Sequence, residues 1–260
     1  MDFFALLENQ ATTFLLMMAR ITGLFVIAPF FGSMNIPVYF RAALALTFSI
    51  VMFPVVSSIG YATAPDDVFR YGAAVLSEVF VGWMIGFVAY VVFSAVNFAG
   101  KVMDMQVGFA MVNIMDPTSG QQIPLIGSFL YNLMIIVFIV LNGHHMLISA
   151  LFESFRTVPI LTPVPDPNAA LFVSNLVYGV FVTGMKIAMP VTFAILLTNV
   201  GLGVLARTMP QLNIFVVGIP LQIIVGMVVL SILLPFYVMF LDVLFNETYE
   251  QINMAIRYLR

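Results

Sequence analysis

Long apolar runs constrain this chain more strongly than any other feature of its sequence. A helix needs about 20 apolar residues to cross the hydrocarbon core of a bilayer. Six runs have roughly that length or more: 11–31, 38–59, 73–98, 124–142, 169–199 and 213–245. Of the 260 residues, 62% are apolar and 8% are charged, whereas soluble domains are about half apolar and about a quarter charged. The pattern predicts an all-α fold of hydrophobic helices in a membrane or in a largely buried assembly.

The composition excludes several classes of function. The chain has no cysteine, so disulfides and thiolate metal sites are ruled out. Its net charge of −3 comes without a Lys/Arg cluster that could bind nucleic acid. The sequence contains no P-loop, dinucleotide fingerprint, G-x-S-x-G or H-E-x-x-H motif. The neighbours His144 and His145 therefore lack metal-ligand spacing, and we interpret them as satisfied at a helix terminus or a subunit contact. We expect a protein that is not an enzyme and that holds no metal or cofactor.

A proline-rich stretch divides the apolar runs into two groups. Prolines at positions 159, 163, 165 and 167 follow the fourth run, so residues 159–168 are the predicted linker between an N-terminal part (1–158) and a C-terminal part (169–260). At the C-terminus, apolar residues recur with the spacing of one helix face: Phe245, Tyr249, Ile252, Ile256 and Leu259. This spacing predicts a terminal amphipathic helix, which is either packed or interfacial or serves to dock a partner subunit.

Three charged residues lie inside apolar runs and away from their ends, where a charge is costly unless it faces protein or water: Arg20, Glu78 and Lys186. If all six runs span, the first and third helices start on the same side. This arrangement predicts an ion pair between Arg20 and Glu78; the alternative is that each snorkels or meets another subunit. Lys186 would lie nearer the opposite side, toward Asp104 and Asp116.

Two glycines of the third run have the spacing of a helix-packing motif. Gly82 and Gly86 enclose the sequence GWMIG. This small-xxx-small spacing lets two apolar helices approach closely. We therefore expect both glycines to lie at a helix–helix contact, although such spacings are also common by chance in apolar helices.

The segment DMQVGFAMVNIMDPTSGQQIP, residues 104–124, is too polar for a span and too apolar for an ordinary surface loop. Gly108 permits a sharp bend, and Asp116 and Pro117 favour a turn. The methionines between them are flexible side chains that fill irregular gaps. Non-helical backbone at membrane depth must be buried in protein or line a cavity. The segment is therefore predicted to fill a protein core, to plug a passage, or to lie outside as a loop.

Several motifs together point to one family: ARITGLFVIAPFFG (19–32), Glu78 with GWMIGF, DMQVGFAMVNIMDP (104–117), LNGHH (141–145) and, most specifically, NVGLGVLARTMPQLNIFVVGIPLQIIVG (199–226). Over nearly its whole length the chain resembles the FliR family of flagellar biosynthetic proteins, the R or T component of the type III export gate. The resemblance implies a P-like part at 1–158 and a Q-like part at 169–260. It implies a gate in the bacterial inner membrane at the flagellar basal body, through which unfolded flagellar substrates pass. The implied partners are P- and Q-type subunits, A- and B-type gate components and membrane lipid.

The resemblance also implies site residues. The family's plug matches Gly108, Phe109, Asp116 and Pro117 of this sequence. The apolar side chains between them are interpreted, from their chemistry, as plug or pore lining: Met111, Val112, Ile114 and Met115. Six residues are interpreted as a structural bend between the two Q-like helices: Pro210, Gln211, Asn213, Phe215, Gly218 and Pro220.

A small-solute secondary transporter is the alternative function. Helix breaks at Pro220 and Pro235, together with Lys186 inside a span, would favour it. Two observations disfavour it, because the two halves show no obvious repeat and the basic residues flank the spans almost evenly on both sides.

Overall fold

The computed structural model of the chain describes residues 3–32, 36–60, 67–109, 124–161, 166–211 and 213–260. Within these ranges the backbone forms helices and turns, and no β-strand. The helices in chain order are α1 (Phe3–Ile27), α2 (Val38–Ser57), α3 (Val68–Val107), α4 (Leu125–Val140), α5 (Gly143–Thr157), α6 (Ala169–Thr208) and α7 (Ile214–Tyr258). The predicted all-α fold is confirmed.

Five helices are long and apolar enough to cross a membrane: α1, α2, α3, α6 and α7. Helices α4 and α5 are bent by 65° at the break between them and together would make a sixth crossing. At this break Asn142 has a φ of +58°, in the left-handed region that asparagine tolerates better than most residues. The prediction of about six long apolar helices is confirmed, but α5 was not predicted as a helix of its own.

Helices α3 and α7 run further than the sequence pattern indicates. Helix α3 continues beyond residue 98 to Val107, so Asp104 lies on a helix and not in a loop. Helix α7 passes through Pro220 and Pro235 and ends at Tyr258, because an apolar helix tolerates a proline when neighbouring groups satisfy the freed backbone atoms. The helix breaks that would favour a transporter are therefore absent from α7. The terminal amphipathic segment is a continuation of this helix.

The chain forms two compact units, each assembled from separate stretches of sequence. Unit 1 contains Met1–Val91, Asn142–Leu176 and Phe245–Arg260, and unit 2 contains Val92–Leu141 and Val177–Leu244. Helices α3, α6 and α7 each contribute one part to each unit. This grouping by proximity is a different division from the predicted one at 159–168. The predicted division rests on the proline-rich stretch, agrees with the P-like and Q-like parts that the resemblance implies, and stays a prediction.

Each unit has its own buried apolar side chains. In unit 1 they come mainly from α1, α3, α5 and the end of α7, and include Met17, Ile21, Leu24, Ile85, Leu151, Phe155 and Ile252. The predicted terminal face contributes to them, with Phe245, Ile256 and Leu259 buried, while Tyr249 is 40% exposed. In unit 2 the buried side chains include Val96, Met103, Leu130, Met134, Val191, Ile195 and Leu241.

Three long helices remain largely uncovered by the rest of the chain. For comparison, the two better covered helices have 67% (α3) and 56% (α1) of the residues in their most apolar stretches buried. The corresponding share is 22% for α2 and α6 and 17% for α7. Apolar surface of this extent requires lipid or another protein to cover it.

Candidate functional site

A buried ion pair joins α1 and α3 in unit 1. The Nε atom of Arg20 lies 2.6 Å from Oε2 of Glu78, and both side chains are fully buried. The two charges that the sequence predicts to pair are thus brought together within the chain. Each charge offsets the cost of removing the other from water, provided that the remaining polar atoms also find partners.

The same two side chains hold the end of α5 and the chain that follows it. Nη1 of Arg20 donates hydrogen bonds to the carbonyl oxygens of Ser154 at 2.9 Å and Val158 at 3.0 Å. Oε1 of Glu78 accepts a hydrogen bond from the N–H of Leu161 at 3.2 Å. Leu161 has a φ of +76°, which is uncommon for a residue other than glycine. The ion pair therefore holds the start of the predicted linker. These partners leave no pattern in the sequence because most of them are backbone atoms.

The backbones of α1 and α3 touch beside this pair. A Cβ atom added to Gly82 would lie 1.8 Å from the carbonyl oxygen of Arg20, and one added to Gly86 would lie 2.4 Å from a side chain of α1. The facing helix contributes Gly23, where a Cβ atom would lie 2.3 Å from the carbonyl oxygen of Val79. Gly82 and Gly86 thus lie at a close helix–helix contact. Sequence reasoning missed Gly23, although it follows Arg20 by three residues on the same helix face.

In unit 2, Asp104 closes the base of a helical hairpin formed by α3 and α4. Its Oδ1 accepts a hydrogen bond from the N–H of Ile126 at 2.8 Å, and its Oδ2 accepts one from Gly127 at 3.0 Å. The first turn of a helix has N–H groups without intrahelical partners, and a carboxylate is favoured there. One turn earlier on α3, a Cβ atom added to Gly100 would lie 2.2 Å from Cα of Gly127. Asp104 therefore ties together the two helix ends that flank residues 110–123.

Lys186 does not reach the acidic residues toward which the sequence places it. Its side chain is exposed on α6, and within the described ranges it forms no ion pair. Asp104 uses both carboxylate oxygens on α4, and Asp116 lies outside the described residues. The predicted contact between Lys186 and Asp104 is wrong, because the capping of α4 takes up the carboxylate.

Two of the eight predicted plug residues are described. Gly108 follows the end of α3 with a φ of +96°, a conformation that favours glycine. Phe109 lines an apolar cavity of about 330 Å³ in unit 2, together with Leu125, Phe129 and Leu230. The other six predicted plug residues lie outside the described ranges: Met111, Val112, Ile114, Met115, Asp116 and Pro117.

The residues of the predicted bend lie where α6 gives way to α7. Pro210, Gln211 and Asn213 follow the end of α6 at Thr208 and precede α7, which begins at Ile214. The carbonyl oxygen of Asn213 accepts hydrogen bonds from the first turn of α7 at 3.1 and 3.3 Å. The other three residues of the predicted bend belong to the first turns of α7: Phe215, Gly218 and Pro220. Their role as a bend between two Q-like helices stays a prediction.

His144 and His145 are the second and third residues of α5, and their ring centroids lie 4.2 Å apart. Nδ1 of His144 is buried and has no hydrogen-bond partner in the part of the chain that the structure describes. In that same part, no group of three or more His, Cys, Asp or Glu side chains could hold a metal ion. Two adjacent imidazoles alone do not make a metal site, so the pair offers at most a contact at the start of α5.

The contacts described above are a buried ion pair, closely packed helix backbones and a carboxylate that caps a helix. Residues 11–248 match the family described as bacterial export proteins, family 1. Similar proteins include the flagellar biosynthetic protein FliR of Bacillus subtilis (strain 168), which is 34% identical over 222 residues, 84% of this chain and 85% of the relative. FliR of Escherichia coli (strain K12) is 30% identical over 233 residues, 89% of this chain and 87% of the relative. The Yop proteins translocation protein T of Yersinia pestis is 27% identical over 220 residues, 84% of each.

The family match reaches all seven helices, α1 and α7 in part, and includes the ion pair, the packed glycines and Asp104. Identities at or above 30% over more than four fifths of the chain link it to FliR proteins of two bacteria. The chain therefore belongs to the bacterial export proteins of family 1, the family of the flagellar biosynthetic protein FliR.

Proposed function

We propose that the chain is the R-type subunit of a flagellar type III protein export gate. With P- and Q-type subunits it forms a protein-conducting pore for unfolded flagellar substrates. The observation that carries this proposal is the family match over residues 11–248, with 34% identity to a flagellar biosynthetic protein. The similarity to a Yop proteins translocation protein supports protein export as the shared task. The role is structural and not enzymatic.

The uncovered helices support an assembly with other subunits. Only 22% of the most apolar stretch of α2 and α6, and 17% of that of α7, is buried. Apolar faces of this size are stable where other apolar helices or lipid cover them. The proposed partners are P- and Q-type subunits, the A- and B-type components of the gate, and lipid around the outside. The proposed location is the bacterial inner membrane at the flagellar basal body.

A plug function is proposed for residues 108–117. The capping of α4 by Asp104, and the contact between Gly100 and Gly127, support it because they fix the two helix ends from which this segment departs. Methionine side chains adapt to irregular surfaces. An apolar, methionine-containing segment on a rigid base therefore suits the reversible closure of a wide pore.

Deleting residues 111–115 tests this proposal. We expect the complex to assemble, because the helix contacts that involve Arg20, Gly82 and Asp104 lie outside the deletion. We also expect ions and small molecules to leak through the membrane, measured as potassium efflux from cells that make the complex. Replacing the same five residues by Gly and Ser controls for chain length, and it should leak as well because the apolar side chains are gone. A membrane that stays tight, or a complex that fails to form, would count against the plug.

A further inference from the structure

Two amide side chains join α6 to α7 in unit 2. Nε2 of Gln222 donates a hydrogen bond to Oδ1 of Asn199. Both residues belong to the segment 199–226, which carries the most specific of the sequence motifs. The neighbours of Asn199 on its own helix include Leu196 and Val200, which are apolar and more than half exposed. A carboxamide in such surroundings is costly unless it is hydrogen-bonded, so each amide of this Asn199–Gln222 pair stabilises the position of the other.

The side chain of Gln222 also lies against the turn that ends α3. Gly108 follows α3 and has a φ of +96°. A Cβ atom added to Gly108 would lie 3.5 Å from Oε1 of Gln222 and 3.8 Å from Cγ2 of Ile219. These are ordinary van der Waals distances, so the backbone conformation, and not a lack of space, favours glycine here. The turn at Gly108 therefore rests on the amide of Gln222.

The last residue of α3 packs on the same stretch of α7. Val107 ends α3 and has no exposed surface. A Cβ atom added to Gly226 would lie 2.6 Å from Cγ2 of Val107 and 3.4 Å from its Cβ atom. Gly226 follows Gln222 by four residues, so the two share one face of α7. The end of α3 thus lies on a face of α7 whose polar side chain, Gln222, is held by α6.

We propose that the Asn199–Gln222 pair positions the base of the plug: by fixing the amide of Gln222, it holds the turn at Gly108, where the proposed plug segment 108–117 begins. A glutamine side chain without a partner samples many rotamers, so without Asn199 the amide would leave Gly108 for much of the time. The inference rests on the proposed plug function and deepens it. Asp104 caps α4, to which the segment returns, whereas the amide pair holds the turn from which it departs.

Gln222→Met and Asn199→Leu test the pair, because each removes the hydrogen bond and keeps a side chain of similar size. In cells that make the complete complex, its yield should stay at the wild-type level, since the apolar contacts remain. Potassium efflux should rise by about threefold to about twentyfold, the shift in an equilibrium that one interhelical hydrogen bond produces. Thr198→Val is the matched control, because its hydroxyl donates within α6 to the carbonyl oxygen of Ala194 at 2.9 Å. Wild-type efflux in both amide variants would overturn the inference.

An engineered disulfide distinguishes positioning of α3 from simple packing of α6 on α7. The chain has no cysteine of its own. The Cβ atoms at positions 107 and 226 would lie 3.4 Å apart, close to the separation of about 3.5–4.5 Å in disulfides. In membrane vesicles with Gln222→Met, oxidation of Val107→Cys paired with Gly226→Cys should return potassium efflux to the wild-type level, and reduction should raise it again. With Gln222 intact, the same cysteine pair should stay tight in both states. Efflux that the disulfide does not lower would overturn the positioning role.

The outcome is separate from the test of the plug. If deletion of residues 111–115 causes leakage and the amide variants do not, the plug stands and the positioning role fails. If the amide variants leak and the disulfide restores tightness while the deletion stays tight, the positioning of α3 stands and the assignment of the plug to residues 111–115 fails.

Discussion

The Nε atom of Arg20 meets Oε2 of Glu78 at 2.6 Å across 58 residues of sequence, and neither side chain has any exposed surface. The guanidinium carbon of Arg20 also lies 4.5 Å from the ring centroid of Phe155. Its Nη1 atom donates to the carbonyl oxygens of Ser154 and Val158. Helices α1, α3 and α5 and the chain after α5 are thus joined at one pair of charges. Such a joint favours one relative position of these elements, because a single guanidinium donates to acceptors on α3, on α5 and in the chain after α5.

Glu78→Gln should destabilise the protein markedly. Glutamine keeps the size of the side chain and can still accept from Leu161, but it leaves the buried charge of Arg20 without its counter-charge. Removing one partner of a buried pair costs roughly 3 kcal/mol or more. The midpoint of thermal unfolding of the purified protein should fall accordingly. Glu153→Gln removes an exposed carboxylate from α5 and should have little effect; equal midpoints for the two variants would contradict a structural role for the pair.

Gly82→Ala should impair folding far more than Gly72→Ala, although both glycines lie in α3. A Cβ atom at Gly82 would lie 1.8 Å from the carbonyl oxygen of Arg20, whereas one at Gly72 would have no atom within 4 Å. Since alanine favours a helix over glycine by about 1 kcal/mol, Gly72→Ala should be neutral or slightly stabilising. The amount of folded protein in detergent measures the difference. A normal yield of the Gly82 variant would show that the two backbones do not touch.

Asp104→Ala should loosen the base of the α3–α4 hairpin. The N–H groups of Ile126 and Gly127 would lose a charged acceptor, at a cost of about 1.5–3 kcal/mol for such bonds. If the hairpin supports a plug, the variant should assemble yet leak potassium. Asp67→Ala is the matched control because it removes a carboxylate that accepts from Phe69 at the start of α3. Leakage from both variants, or from neither, would show that Asp104 has no specific role in keeping the pore closed.

Ile252→Ala should destabilise unit 1. The side chain of Ile252 has no exposed surface, whereas Met254 on the same helix is 43% exposed. Replacing a buried isoleucine by alanine costs about 2–5 kcal/mol, so the midpoint of urea unfolding in detergent should fall. Met254→Ala should change it little. The opposite ranking would show that the terminal part of α7 does not pack as a core element.

The sequence allowed the helices and the ion pair to be predicted because both follow from local costs. An apolar run must bury its backbone in a helix, and a charge within such a run needs a partner. Arg20 and Glu78 were therefore identifiable together, as was the close approach of Gly82 and Gly86. The length of α7 was not predictable in the same way. The apolar run 213–245 already includes Pro220 and Pro235, but the amphipathic pattern of the terminal segment indicates a separate helix, whereas α7 continues through it to Tyr258.

Other parts of the site depend on contacts that leave no sequence pattern. Ser154 and Val158 accept from Arg20 through their carbonyl oxygens, and every residue has such a group. Asp104 was expected in a loop, and its capping of α4 depends on how α3 and α4 meet in space. The turn at Asn142 rests on a left-handed φ that asparagine only makes more frequent. The contacts of Arg20 and Asp104 join residues far apart in sequence, so no local pattern predicts them.

The composition of the complex in native membranes tests the central claim most directly. The full chain, carrying an affinity tag, is purified under mild conditions from cells that are building flagella, and its partners are identified by mass spectrometry. We predict P- and Q-type export subunits in one complex with the chain, in amounts equal to it or greater. A chain that is recovered alone and that carries a small solute into vesicles would contradict the account.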